Sequence, residues 1–219
     1  MKKILLAAAV AALISSSAAL AGAGEQTLSL GYSRIGSDGL DRAYSELKKQ
    51  ASPRDWSTDG DSSHDGSDDP DGVFFKYRYE FNEVWGVIGS FTYAGKDYSF
   101  KSISRGSGDT LNQKYKLQSN YVSLMMGPSL RVNEYFSLYA LAGAAYKNIK
   151  STVHASYDVG GQSGYGNGSK TNDRTDVAYS AGVQFNVYKG FVVDASYEGT
   201  AGGSNWRTDG FTIGIGYKF

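Results

Sequence analysis

Between Asp176 and Val187 the side chains alternate. Val177, Tyr179, Ala181, Val183, Phe185 and Val187 form one apolar set, while Asp176, Ala178, Ser180, Gly182, Gln184 and Asn186 form a polar or small one. A repeat of two marks a strand whose two faces meet unlike surroundings. The design recurs where Val73, Phe75, Tyr77, Tyr79 and Phe81 alternate with Phe74, Lys76, Arg78 and Glu80. It closes the chain, with Phe211, Ile213, Ile215, Tyr217 and Phe219 set against Thr212, Gly214, Gly216 and Lys218. No stretch reaches the roughly 18 to 20 consecutive apolar residues of a membrane-spanning helix. Strands can still cross a membrane, because alternation dilutes their apolar residues.

Eight strands are expected, at about 25–33, 72–82, 84–98, 114–132, 135–150, 175–187, 191–200 and 209–219. Short connections at Asn82-Glu83, Asn133-Glu134 and Tyr188-Lys189-Gly190 alternate with long ones at about 34–71, 99–113, 151–174 and 201–208. Short turns on one side and long loops on the other is the plan of an outer-membrane barrel. The alternation is poor in two places: the fourth strand changes phase near Ser119 to Tyr121, and the fifth reads almost equally well in both phases. Residues 1–21 carry Lys2 and Lys3, an apolar run from Ile4 to Ile14, and a close on Ala19-Leu20-Ala21. They are expected to be a secretory signal cleaved after Ala21, through the small-x-small pair Ala19 and Ala21. Residues 22–219 would then form the barrel with its extracellular loops, outside the cytoplasm.

A soluble β-sandwich or lipocalin-like barrel would alternate too, and the polar face decides against it. Lys76, Arg78, Glu80, Arg131, Asp194 and Glu198 fall on the small-and-polar face with glycines and serines. Eight strands leave a lumen that side chains fill, so both signs of charge can pair inside while apolar side chains face lipid. Phe81, Trp85, Tyr135, Phe136, Tyr188, Phe191 and Phe219 cluster by the short turns as an interfacial girdle does. The fold class is therefore all-β, an eight-stranded antiparallel up-and-down transmembrane β-barrel.

Particular segments resemble the Ail/Lom family of outer-membrane proteins, the group of OmpX, PagC and Rck. They are Gly72-Val73, Lys76 to Phe81, Trp85 to Tyr93, Ser123 to Ser129, Tyr135 to Gly143, Ala181 to Asn186 and Gly214 to Phe219. The resemblance implies an integral outer-membrane barrel and, for several members, host-cell adhesion, invasion or resistance to complement. The terminal Phe219, with Tyr217, Ile215, Ile213 and Phe211, also resembles the signal read by the outer-membrane assembly machinery. The first connection is longer than the family leads one to expect. Function in such scaffolds sits in the loops, so the scaffold transfers more safely than the ligand.

Catalytic and metal chemistry finds little support. His64 and His154 are the two histidines, both in expected loops, where adjacent Ser62, Ser63 and Asp65 are not held in mutual reach. The acidic run from Asp59 to Asp71 fails as an EF-hand, having His64 and Pro70 where Gly and Glu are needed. With no cysteine, disulfides and thiolate metal sites are excluded, and no cofactor is expected. The balance of 22 basic against 22 acidic residues argues against a polyanion-binding protein, and no nucleic-acid partner is expected.

The binding candidates lie in the loops. Lys101 and Arg105, with Lys114 and Lys116 below them, could meet acidic host glycans or neutralise lipopolysaccharide phosphates in the protein's own membrane. Tyr157 and Tyr165 sit in glycine and serine, as in adaptable contact loops. Trp56, Trp206 and Arg207 are residue types enriched at interface hot spots, although Trp206 could equally belong to an outer girdle. The expectation is a non-catalytic, monomeric surface protein. Its loops would bind a host matrix protein, complement regulator or glycan, giving adhesion and serum resistance. A structural envelope protein or a small channel is the alternative.

Overall fold

Successive side chains of a strand point to opposite faces, and here the polar set goes inward. The computed structural model describes residues 24–50, 57–58, 69–106, 109–159, 161–202 and 207–219. Among the described residues the strands are β1 (Gln26–Ser37), β2 (Asp71–Glu80), β3 (Trp85–Gly106), β4 (Asp109–Arg131), β5 (Phe136–Val159), β6 (Gln162–Tyr188), β7 (Phe191–Thr200) and β8 (Thr208–Lys218). A helix, α1 (Asp38–Gln50), follows β1, and a two-residue strand, Ser57–Thr58, precedes β2. Each of the eight pairs antiparallel with its chain neighbours, and β1 pairs with β8 to close the ring. The barrel thus leaves no edge in its wall. The expected signal segment with Ala19 and Ala21, His64, Trp56, Trp206 and the acids from Asp59 to Asp68 lie outside the described residues.

The inward face carries Lys76, Arg78 and Glu80 of β2, Ser90 and Thr92 of β3, and Asp194, Ser196 and Glu198 of β7, all buried. Outward stand Leu124 and Met126 of β4, Val177 of β6 and Ile215 of β8, all exposed, as a lipid solvent requires. Two aromatic belts bound this apolar band. Phe81, Trp85, Tyr135, Tyr188 and Phe191 are exposed near the short turns, and Tyr32, Tyr93, Tyr146, Tyr179 and Tyr197 at the other end.

The short turns are chemically specified. The Asn82 side-chain oxygen accepts from the backbone N–H of Val84 at 2.9 Å and of Trp85 at 2.7 Å, and that of Asn133 from Tyr135 N–H at 2.9 Å. In the β6–β7 turn Lys189 and Gly190 both have positive φ, 42° and 87°. Such a two-residue turn matches the right-handed twist of its flanking strands.

Four expectations need correcting. The phase of β4 does not change: Tyr115, Leu117, Ser119, Tyr121, Ser123 and Met125 all face inward and are buried in one unbroken run. What changes at Ser119 to Tyr121 is the surroundings. In the membrane the outside is apolar and the inside polar, whereas beyond it Tyr115 and Leu117 face a covered interior and Lys116 faces water. In β5 the inward phase is Ser137, Tyr139, Leu141, Ala145, Lys147 and Ile149. Small residues such as Ala142 and Ala144 on the lipid side had made both phases look alike.

The connections expected at 99–113 and 151–174 are largely strand, since β3 runs to Gly106, β4 starts at Asp109, β5 runs to Val159 and β6 starts at Gln162. Lys101, Arg105, His154, Tyr157 and Tyr165 therefore lie on strands, not in coil. Lastly, the long connection 34–71 contains α1. The sequence spacing of Leu40, Ala43, Tyr44 and Leu47 is the helical one.

Candidate functional site

A tilted strand crosses a bilayer in about 9–11 residues. The 22, 23, 24 and 27 residues of β3, β4, β5 and β6 therefore run well past the outer tyrosines. Above the membrane they remain hydrogen bonded, as a four-stranded sheet continuous with the barrel wall. On one flank Ser57 and Thr58 pair with Arg105 and Ser104 of β3. On the other, β7 ends its pairing at Thr200 opposite Ala178, so β6 above that point pairs with β5 alone among the described residues.

The two faces of this projecting sheet differ. Its inner face carries Tyr98, Tyr115, Leu117 and Ile149, which cluster with Leu40 of α1 and against which Ala43 and Val153 pack. The helix thus roofs the barrel mouth. Burial pushes the Tyr115 hydroxyl above its usual pKa, and it donates to the Gln113 side chain at 3.0 Å. The outer face is polar. Gln118 donates to Asp97 at 3.3 Å, Asn148 donates to Asp173 at 2.7 Å, and His154 Nδ1 meets Asn167 Oδ1 at 2.7 Å.

Lys114, Lys116, Lys150 and His154 share that outer face. Lys114 stands directly opposite His154, Lys116 opposite Thr152, and Lys150 opposite both Gln118 and Thr171. Lys101 is opposite Lys114 in the backbone register, and the side chains of Lys101 and Arg105 lie outside the described residues. Among the described residues none of Lys114, Lys116 and Lys150 forms an ion pair. Cations near the rim differ: Arg34 is 3.2 Å from Asp69, Lys96 is 3.9 Å from Asp71, and Arg207 is 3.8 Å from Asp209. Tyr32 also donates to Asp71, and Tyr197 to Asp209 at 2.9 Å. Hydrogen bonding to Tyr197, then the Asp209 charge, hold the Arg207 guanidinium above its usual pKa. Tyr165 is 85% exposed at the β5–β6 tip, whereas the Tyr157 ring lies across Gly164, where an added Cβ would be 2.4 Å from the tyrosine oxygen.

Within the barrel the charges are stacked in layers. Nearest the short turns Arg78 meets Glu80 at 2.8 Å, Arg131 bridges Glu80 and Glu25, and Lys218 reaches Glu25 at 3.2 Å. Above them Lys76 pairs with Asp194 at 2.6 Å and contacts Tyr139, Ser196 and Thr212 hydroxyls at 2.8, 2.8 and 3.0 Å. Glu198 accepts from Thr92 at 3.0 Å, Tyr121 at 2.6 Å and Ser123 at 2.5 Å. Nearest the roof Asp176 holds Lys147 at 2.9 Å and Arg174 at 2.7 Å. Glu25, Lys147 and Tyr121 escaped the sequence reading of the lumen, whereas Asp176 belongs to the polar set that the sequence assigns to its strand. The inward phase of β5 would have found Lys147, two places beyond Ala145. Such a filled core supports shape, and among the described residues the projecting sheet is the broad polar surface presented above the membrane. No group of residues with metal-binding geometry occurs among the described residues.

Residues 45–219 match the model of the Enterobacterial Ail/Lom protein family. The attachment invasion locus protein of Yersinia enterocolitica is 37% identical over 222 residues, covering 100% of both chains. The virulence membrane protein PagC of Salmonella typhimurium is 37% identical over 149 residues, covering 68% of this chain and 76% of its own. Among solved structures, Ail of Yersinia pestis in complex with the heparin analogue sucrose octasulfate superimposes with a TM-score of 0.55 at 31% identity, covering 90% of this chain and 99% of that one.

Proposed function

The chain belongs to the enterobacterial Ail/Lom family, and from that premise we propose that its projecting sheet is a non-catalytic adhesive surface that grips polyanionic glycan on host cells and matrix. It is an integral outer-membrane virulence protein. The observation that carries the reading is the outer face holding Lys114, Lys116 and Lys150 without a carboxylate partner among the described residues. Unpaired ammonium groups beside polar, exposed strand positions suit repeating sulfates or carboxylates, which they meet by charge-assisted hydrogen bonds. The similarity to a structure solved with a heparin analogue supports the same ligand class. Tyr157, Tyr165, Trp56, Trp206 and Arg207, with Lys101 and Arg105, are the further contacts we assign to matrix protein or complement regulator, and through them serum resistance.

We assign Phe211, Ile213, Ile215, Tyr217 and Phe219 to recognition by the assembly machinery, Ala19 and Ala21 to signal cleavage, and a monomer to the working state. The test compares bacteria displaying the wild-type protein, the triple variant Lys114→Ala/Lys116→Ala/Lys150→Ala, or vector alone, on epithelial cells and immobilised heparin. Extra binding by the wild type that the triple variant loses, at equal surface display, is expected. Equal binding by all three overturns the reading. Loss of lipopolysaccharide binding without loss of adhesion would assign the lysines to the protein's own membrane instead.

A further inference from the structure

His154 stands on the lysine-bearing face, level with Lys114 on the side nearer the hairpin tip. On β4 it is opposite Lys114, with Asn112 and Lys116 at the diagonal positions, and on β6 it is opposite Asn167, with Tyr165 and Ser169 diagonal. Along β5 its same-face neighbours are Thr152 and Ser156. The charged groups facing it from the packed strands are thus Lys114 and Lys116. The carboxylates on that outer face, Asp97, Asp158 and Asp173, hold positions neither directly across from it nor diagonal to it. Directly opposed side chains lie about 5 Å apart at Cβ and diagonal ones about 7–8 Å, a spacing over which one sulfate cluster can touch all three.

The ring orientation adds a direction to this. With Nδ1 donating to Asn167 Oδ1 at 2.7 Å, the exposed Nε2 is an acceptor in the neutral ring and a donor in the charged one. A neutral Nε2 presents a lone pair to an anionic oxygen. A protonated one presents N–H and a positive charge.

We propose that His154 makes this face a pH-graded polyanion site, in which proton uptake at the imidazole joins Lys114 and Lys116 and tightens the grip on sulfated glycan as the surroundings turn acidic. The inference rests on the glycan-binding reading above and adds its regulation. Histidine is the side chain whose charge ordinarily changes between pH 5 and 8. A bound polyanion favours the charged ring over the neutral one. By linkage, binding takes up a proton and affinity rises as pH falls. An exposed ion pair gained in this way corresponds to an increase of up to about fivefold.

The test uses the mature chain refolded into phosphocholine nanodiscs free of lipopolysaccharide, with sucrose octasulfate as the probe, titrated at pH 7.5 and pH 5.5. The wild type should tighten about threefold to fivefold over that interval, on the same reasoning from exposed ion pairs. His154→Gln should lose the rise between the two pH values, His154→Arg should bind at pH 7.5 about as the wild type does at pH 5.5, and His64→Gln should show the same rise as the wild type. A rise that persists in His154→Gln, or one that vanishes only in His64→Gln, overturns the proposal while leaving glycan binding intact. A wild type that binds equally at both pH values does the same. No binding at either pH overturns both readings.

Discussion

Lys76 Nζ and Asp194 Oδ1 meet 2.6 Å apart in the lumen, one from β2 and the other from β7, with side chains 1% and 0% exposed. The Asp194 carboxylate also accepts from Gln184 at 2.7 Å and Tyr139 at 2.9 Å, so the pair is satisfied on both oxygens. Burying two charges is costly, and this geometry is what offsets the desolvation.

Removing one partner leaves the other buried and uncompensated. Asp194→Ala should lower the unfolding free energy by about 3–5 kcal/mol, read from urea unfolding in lipid bilayers. The double variant Lys76→Met/Asp194→Leu should recover most of that loss. A single variant as stable as the wild type would show that the pair does not hold the lumen together.

The layered pairs from Arg131 and Glu25 up to Lys147 and Asp176 leave the lumen occupied. Planar bilayers containing the wild-type protein should show no discrete conductance steps. Steady single-channel openings would contradict the filled core and favour a pore.

Leu40 is the buried anchor of α1 on Tyr98, Tyr115, Leu117 and Ile149. Leu40→Asp should cost about 2–4 kcal/mol locally and release the helix while leaving the barrel folded. Hydrogen exchange should then accelerate at the upper amides of β3 to β5, around Tyr98, Leu117 and Ile149, and stay slow around Phe91 and Met125. Uniform acceleration would mean that α1 supports the whole barrel.

Lys114, Lys116 and Lys150 form no ion pair among the described residues and act through solvent, so salt should screen them. Sucrose octasulfate affinity should fall several-fold when ionic strength rises from about 0.01 M to 0.15 M, as the Debye length shortens from about 30 Å to 8 Å. Lys116→Glu and Lys150→Glu should flatten that dependence. A salt-insensitive affinity would place the ligand in an enclosed site elsewhere.

Much of the fold was legible because lipid and lumen impose opposite demands. Val177, Tyr179 and Phe185 had to be apolar and Ser180 and Gln184 could be polar, so β6 could be read directly in its membrane part. The same rule misled above the membrane. There Tyr115, Leu117 and Ile149 turn inward to meet α1, while Lys116, Lys150 and His154 turn out to water, and the polarity code inverts within continuous strands. Gly164, Gly166 and Gly168 carry no side chain to alternate, so the upper part of β6 gave no periodic signal. The lysines of the candidate site were partly visible by composition. Their grouping with Lys150 and His154 depends on a register between strands that local sequence does not encode.

The 24 residues of β5 run from the Asn133 turn to the hairpin tip without a break in pairing to β6, a span of about 80 Å. A pull on anything held at the tip or on the lysine-bearing face therefore loads the backbone hydrogen bonds along the strands, many at once, rather than peeling them in sequence. The load passes into a closed wall seated in the membrane, with no flexible hinge between the hook and its anchor. Were a cell held against flowing fluid through the proposed glycan site, the attachment point would be a stiff tether, its strength under traction set by the ligand contacts and not by the protein that bears them.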